Sequence, residues 1–166
     1  EVIHTTEGKK ILRNFLFKIA NLKTNWDMGN FVRTSVKKIT LKVGKEKIIL
    51  GLSGGVDSTV LALLLKKAVG DQVIPVFIDN GFLRKNEYRD LMDRFKNKLH
   101  LNVIGVDASK QFLENLKNIR SPEQKRKIIG ENFIRTFEGE AKKLGDIPYL
   151  AQGTLYPDVI ESAVPG

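Results

Sequence analysis

The stretch Ser53-Gly54-Gly55-Val56-Asp57-Ser58 joins an apolar run at residues 47–52 to a helix-like run from Thr59 to Val69. A glycine-rich turn from a buried strand into a helix is a phosphate-binding arrangement. Glycine lets the backbone approach a ligand with no Cβ in the way. The unpaired N–H groups of the first helical turn then face the anion. The turn has no lysine, which separates it from a Walker A loop. Asp57 stands where the helix begins. A carboxylate facing a polyphosphate repels it unless a divalent cation lies between them, so Mg²⁺ is implied, with Asp57 as its ligand.

The surrounding pattern constrains the fold. Ile11, Leu12, Phe15, Leu16 and Ile19 recur at helical spacing, and so do Phe31, Val32, Val36 and Ile39 before Gly44. Residues 23–30 are polar and turn-prone. From Lys45 the chain alternates between strand and helix patterns. Strands are expected at 47–52, 72–78, 101–106 and 148–152. Pro75 inside the second predicts a bulge or an edge there. Helices are expected at 59–69, 85–98 and 111–117, and from Ser121. Ser121-Pro122-Glu123-Gln124 is a helix start, with a serine N-cap, proline at the first position and glutamine three residues on. The expected fold is α/β: a doubly wound, mostly parallel sheet with helices on both faces. Ligands of such sheets bind beyond the carboxyl ends of the strands. Here those ends carry the glycine turn, Asp79-Asn80-Gly81, Asp107 and Gly153-Thr154.

Composition narrows the chemistry. There are no cysteines among the 166 residues, so disulfides, thiolate metal sites and a cysteine nucleophile are excluded within this chain. That fits a reducing compartment, and the expected location is cytoplasmic. His4 and His100 have no metal-ligand spacing. No apolar run reaches the ~18–20 residues that span a bilayer. The net charge of +9 attracts polyanions. The lysines, however, are spread along the chain without interleaved aromatics, so neither nucleic acid nor membrane is an expected partner.

The loop at Ser53–Ser58 resembles the pyrophosphate loop of N-type ATP pyrophosphatases. Residues 76–84 (VFIDNGFLR), 123–130 (EQKRKIIG) and 152–162 (QGTLYPDVIES) together resemble glutamine-hydrolysing GMP synthases, and the resemblance covers essentially the whole chain. Glu1-Val2-Ile3-His4-Thr5 is similar to the end of a class I glutamine amidotransferase domain. Glu1 there matches the glutamate of a Cys-His-Glu triad whose other two members have no counterpart here. The resemblance implies that residues 1–22 end an amidotransferase domain, 23–44 form a linker and connecting helix, and 45–166 form the ATP pyrophosphatase domain. It further implies that this domain stops before a lid and a dimerisation domain, so that the parent enzyme is a homodimer.

The chemistry implied by the resemblance has two steps. ATP adenylylates the C2 oxygen of XMP with release of pyrophosphate, and ammonia from glutamine then displaces AMP to give GMP. Ser53, Gly54, Gly55, Val56, Ser58 and Thr59 would hold the ATP phosphates, with Asp57 and Ser58 at the reacting end. Val76, Ile78 and Gly153 would contact the nucleotide, the first two through backbone groups. Arg84 is a candidate for the XMP phosphate, or is a solvated arginine at a helix start. Thr154 and Asp158 would contact substrate, although Asp158 could equally bind metal or cap a turn after Pro157. Lys125, Arg126 and Lys127 either attract phosphate or form a solvated helix face. Other readings are NAD synthetase, a tRNA-modifying ATP pyrophosphatase, or a nucleotide-binding module without turnover.

Overall fold

In a computed structural model the described residues are 4–24 and 27–154. The chain divides into two compact units, Glu1–Thr34 and Ser35–Gly166. The first contains α1 (Gly8–Asn14), which runs on through a π-helical turn at Phe15–Ile19. Ile11, Phe15 and Ile19 are exposed. α2 (Met28–Val43) crosses the division and ends at Gly44 with φ +60, the left-handed stop that glycine supplies.

The second unit is a four-stranded parallel sheet in the order β3-β2-β1-β4. Its strands are β1 (Ile48–Leu52), β2 (Val73–Asp79), β3 (Ile104–Asp107) and β4 (Tyr149–Ala151). α3 (Val56–Val69) links β1 to β2, and α4 (Glu87–Asp93) links β2 to β3. α5 (Ser109–Leu116) and α6 (Pro122–Lys143) link β3 to β4. The α/β architecture expected from the alternating pattern is the one observed.

Strand alternation sorts the core into two layers. Leu50, Leu52, Val73 and Phe77 pack with Ala62, Leu65, Leu91 and Phe95, on the side of α3 and α4. Ile49, Val76 and Ile78 pack with Phe112, Phe133 and Phe137, on the side of α5 and α6. β1 and β2 are thus covered on both faces, as parallel strands require. Phe77 meets Tyr88 in a stacked pair (centroids 5.5 Å apart) and Phe95 edge-on at 5.7 Å.

Pro75 is accommodated without a bulge. The β1–β2 register runs unbroken from Ile48↔Val73 to Leu52↔Phe77. Pairing with β3 begins only at Val76↔Ile104, so on that side Pro75 lies at an unpaired edge, where a missing donor is tolerated. The third strand starts three residues later than its apolar run predicts. Leu101 instead turns inward, fully buried, with its N–H on the Phe95 carbonyl.

Helix starts follow their local chemistry. The Ser121 hydroxyl accepts from the Gln124 N–H at 3.4 Å, with Pro122 opening α6. Before α5, Asp107 Oδ1 accepts from both the hydroxyl (2.6 Å) and the N–H (3.0 Å) of Ser109. These bonds favour the ionised form and hold the Asp107 carboxyl below the usual carboxylate range.

Two outcomes test this packing. Phe77→Ala should cost about 3–5 kcal/mol in denaturant unfolding, because it opens both aromatic contacts. Ser109→Ala should raise the Asp107 pKa, read by NMR titration of its carboxyl carbon. Because the folded-state pKa is depressed, the associated stability is present above the ordinary carboxylate pKa and is lost as pH falls through the lowered value. In the variant that loss should begin at a higher pH.

Candidate functional site

β1 leaves the sheet at Leu52 and turns through Ser53-Gly54-Gly55 into α3. The hydrogen bonds that fix this turn are internal. Ser58 Oγ accepts from the Ser53 N–H at 3.2 Å, lies 2.9 Å from Ser53 Oγ and donates to the Gly55 carbonyl at 3.3 Å. Thr59 Oγ1 also donates to the Gly55 carbonyl, at 2.7 Å. Ser58 is buried, and its hydroxyl is fully occupied within the turn. The sequence reading has Ser58 and Thr59 on the phosphates; in the structure both side chains fasten the loop to its helix, and Ser53 is the exposed hydroxyl.

Gly54 has φ +81, a conformation that favours glycine. A Cβ built there would lie 2.7 Å from Leu91 Cδ1 of α4. Gly55 is the N-cap residue of α3 in extended conformation, with no side-chain cap. The first N–H groups of α3 are left uncapped by any side chain, and the helix is fourteen residues long, so the positive end of its dipole is available to an anion. Asp57 sits in this first turn, exposed and without an ion pair among the described residues. An exposed, unpaired carboxylate beside an anion cradle is a hard oxygen ligand of the kind that Mg²⁺ takes.

The sheet order puts its reversal point next to this loop. β1 lies between β2 and β4, which the chain reaches in opposite directions, so the strand order reverses at β1/β4. The β1–β4 ladder stops at Leu50↔Ala151, while β1 continues to Leu52. Gln152, Gly153 and Thr154 follow and are exposed. Gly153 lies close to α3, since a Cβ on it would be 3.9 Å from Leu61 Cδ2. The glycine turn and Gly153-Thr154 therefore stand at the ends of neighbouring strands.

Val76 and Ile78 are buried on the α5/α6 face. Only their backbone can meet a ligand, as the sequence reading requires. Ile78 lies past the last β1 pair, Leu52↔Phe77, so at this residue β2 is unpaired on the β1 side. After β2, Asp79 Oδ1 accepts from the Gly81 N–H at 2.9 Å, and Asp79 is the register partner of Asp107. Burial, then the charges of Asp79 and of Asp107, raise the Tyr88 pKa. Arg84 and Glu87 bond reciprocally. The Arg84 N–H donates to Glu87 Oε2 at 2.7 Å, and the Glu87 N–H donates to the Arg84 carbonyl at 2.9 Å. The Arg84 side chain is exposed and has no ion pair among the described residues. On α6, Lys125, Arg126 and Lys127 are exposed, with Arg126 3.2 Å from Glu123. Glu1 and Asp158 lie outside the described residues. No cluster of three metal-ligating side chains occurs among the described residues, and no helix there is long and apolar enough to cross a membrane.

The contacts that sequence reasoning missed are long-range ones. Leu91 beneath Gly54, and Tyr88 beside the two acids, come from α4, whose own pattern says nothing about the loop.

Comparison with known proteins places this geometry. The family model described as NAD synthase matches residues 27–136. Among relatives, a glutamine-hydrolysing GMP synthase of Carboxydothermus hydrogenoformans is 53% identical over 98% of this chain. That of Clostridium kluyveri is 55% identical over 99%. The chain spans 32% of the length of each, about a third. Among solved structures, the NH3-dependent NAD synthetase of Campylobacter jejuni matches with a TM-score of 0.62 at 18% identity, over 82% of this chain and 72% of that one. The glutamine-dependent NAD+ synthetase of Acinetobacter baumannii, solved with ADP, matches with a TM-score of 0.61 at 14% identity, over 80% of this chain and 26% of that one. With its parallel sheet and glycine turn, this chain belongs to the NAD synthase family, whose domain has the N-type ATP pyrophosphatase fold.

Proposed function

We propose that this chain is the ATP-binding, adenylylating part of a GMP synthase. The observation that carries the reading is 53–55% identity to glutamine-hydrolysing GMP synthases over 98–99% of the chain. The two solved NAD synthetases are only 14–18% identical to it. In the proposed reaction the C2 oxygen of XMP attacks the α-phosphorus of ATP. An O–Pα bond forms, the bond from Pα to the bridging oxygen breaks, and pyrophosphate leaves. Ammonia then attacks C2, the C2–O bond breaks, AMP leaves, and the nitrogen sheds a proton.

The chain's residues act by positioning and electrostatics. The uncapped N–H groups of α3, with Gly54 and Gly55, would receive the β- and γ-phosphates. The exposed Ser53 hydroxyl would turn its proton from Ser58 to a phosphate on binding, and Ser58 and Thr59 would hold the turn in shape. Asp57 would hold Mg²⁺, which when bound offsets the charge developing on pyrophosphate. Backbone groups near Ile78 and Gly153 would line the nucleoside. Arg84, exposed and unpaired, would take the XMP phosphate, with Thr154 and Asp158 on the same substrate. Glutamine-derived ammonia would come from an amidotransferase domain of the longer protein, with Glu1 in its triad, and a C-terminal domain of that protein would join two copies.

ATP–pyrophosphate exchange by the protein that carries this chain should depend on XMP. Exchange driven by nicotinate adenine dinucleotide instead would replace the reading with NAD synthesis, and exchange with neither would leave a nucleotide-binding module. Asp57→Asn should lower XMP-dependent exchange by about 10²-fold or more at saturating Mg²⁺, the scale of losing one preorganised electrostatic contact. An unchanged rate removes the metal role from Asp57.

A further inference from the structure

We propose that Leu91 is a positioning residue: its side chain sets the shape of the pyrophosphate loop and ties that loop to the segment carrying Arg84. The proposal rests on the adenylylation reading above. Gly54 is held at φ +81, and the place where a Cβ would project is already filled by Leu91 Cδ1, 2.7 Å away, with Cδ2 at 3.5 Å. Leu91 is buried in the same core layer as Leu52, Phe77 and Phe95, so it cannot swing aside without opening that core. The loop therefore rests on a fixed apolar stop supplied by α4. The other fixings of the loop, through Ser53, Ser58, Gly55 and Thr59, are all local to the turn and α3.

The same helix is tied at its start to Arg84 by the two reciprocal hydrogen bonds with Glu87. Leu91 follows Glu87 by four residues, one helical turn away. One rigid turn thus joins the loop that would bind the leaving pyrophosphate to the residue that would bind the acceptor. A shift of α4 moves both. Near-attack geometry between two substrates is sensitive on the scale of 1 Å, so the contact fixes the separation of the two half-sites as well as the loop.

The test is a double-variant cycle in the full-length protein, read by binding of a non-hydrolysable ATP analogue and by XMP-dependent pyrophosphate exchange. Leu91→Ala should weaken analogue binding about tenfold and lower exchange by about 10–10²-fold, the cost of a misplacement near 1 Å. Phe95→Ala, in the same core layer but not among the atoms against Gly54, should lower the denaturation midpoint at least as much while leaving analogue binding within about twofold. Leu91→Met conserves volume and should restore binding and exchange. Gly54→Ala should also weaken binding, because φ +81 strains any side chain there and because its Cβ meets Leu91; only the second cost is relieved when Leu91 is shortened. In Gly54→Ala/Leu91→Ala the added methyl finds room, so the losses should be less than additive. Additive losses, or equal binding defects in Leu91→Ala and Phe95→Ala, would overturn the proposal. Should Leu91→Ala not fold, Leu91→Val against Gly54→Ala supplies the same cycle, with Leu91→Met as its volume-conserving control. Failure of the adenylylation reading is separate: the unsubstituted protein would then show no XMP-dependent exchange, whereas the positioning claim fails only through the variants.

Discussion

The site depends on the burial of β1 and β2 between two helical layers. A strand covered on both faces has no freedom to rotate or slide, because a one-residue slip would exchange its two apolar sets. Leu50 and Leu52 are held by one layer and Ile49 by the other. The point at which the chain leaves the sheet, Leu52, is therefore fixed. The glycine turn takes its position from that point.

From there the loop divides its labour. The N–H groups of the first turn of α3 carry no side-chain cap, while the Ser58 and Thr59 hydroxyls are spent on the turn itself. Ser58 and Thr59 converge on the Gly55 carbonyl. That carbonyl also accepts the Thr59 N–H at 3.2 Å, so it is turned along α3 and away from the free N–H groups of the first turn. The result is a turn held in one shape by its own hydrogen bonds, and on the proposed function this lowers the ordering cost of binding.

Much of this was legible in the sequence. The apolar run into Gly54-Gly55 located β1, the loop and α3 because strand, glycine and helix signals all agree over a few residues. Ser121-Pro122 located the start of α6 for the same reason. Local chemistry was less informative where an apolar residue serves the core without joining a ladder, as at Leu101. It was silent on contacts between distant segments. Asp79 and Asp107 were each visible as strand-end acids, but their side-by-side register is a property of the sheet. The bonds that Ser58 and Thr59 make within the turn were not legible either, because a hydroxyl's partner depends on how the loop folds back on its helix.

Gly105 carries a consequence of another kind. The space its side chain would take is filled by the Tyr88 hydroxyl and by Met92 Cε, while the Tyr88 ring lies stacked on Phe77. Volume at this spot on β3 is supplied from α4. Positions 88 and 105 are therefore a single packing unit shared by two segments. A larger residue on the strand is compatible with this fold only alongside a smaller one on the helix, so divergence at the two positions is expected to be concerted, with total volume as the conserved quantity.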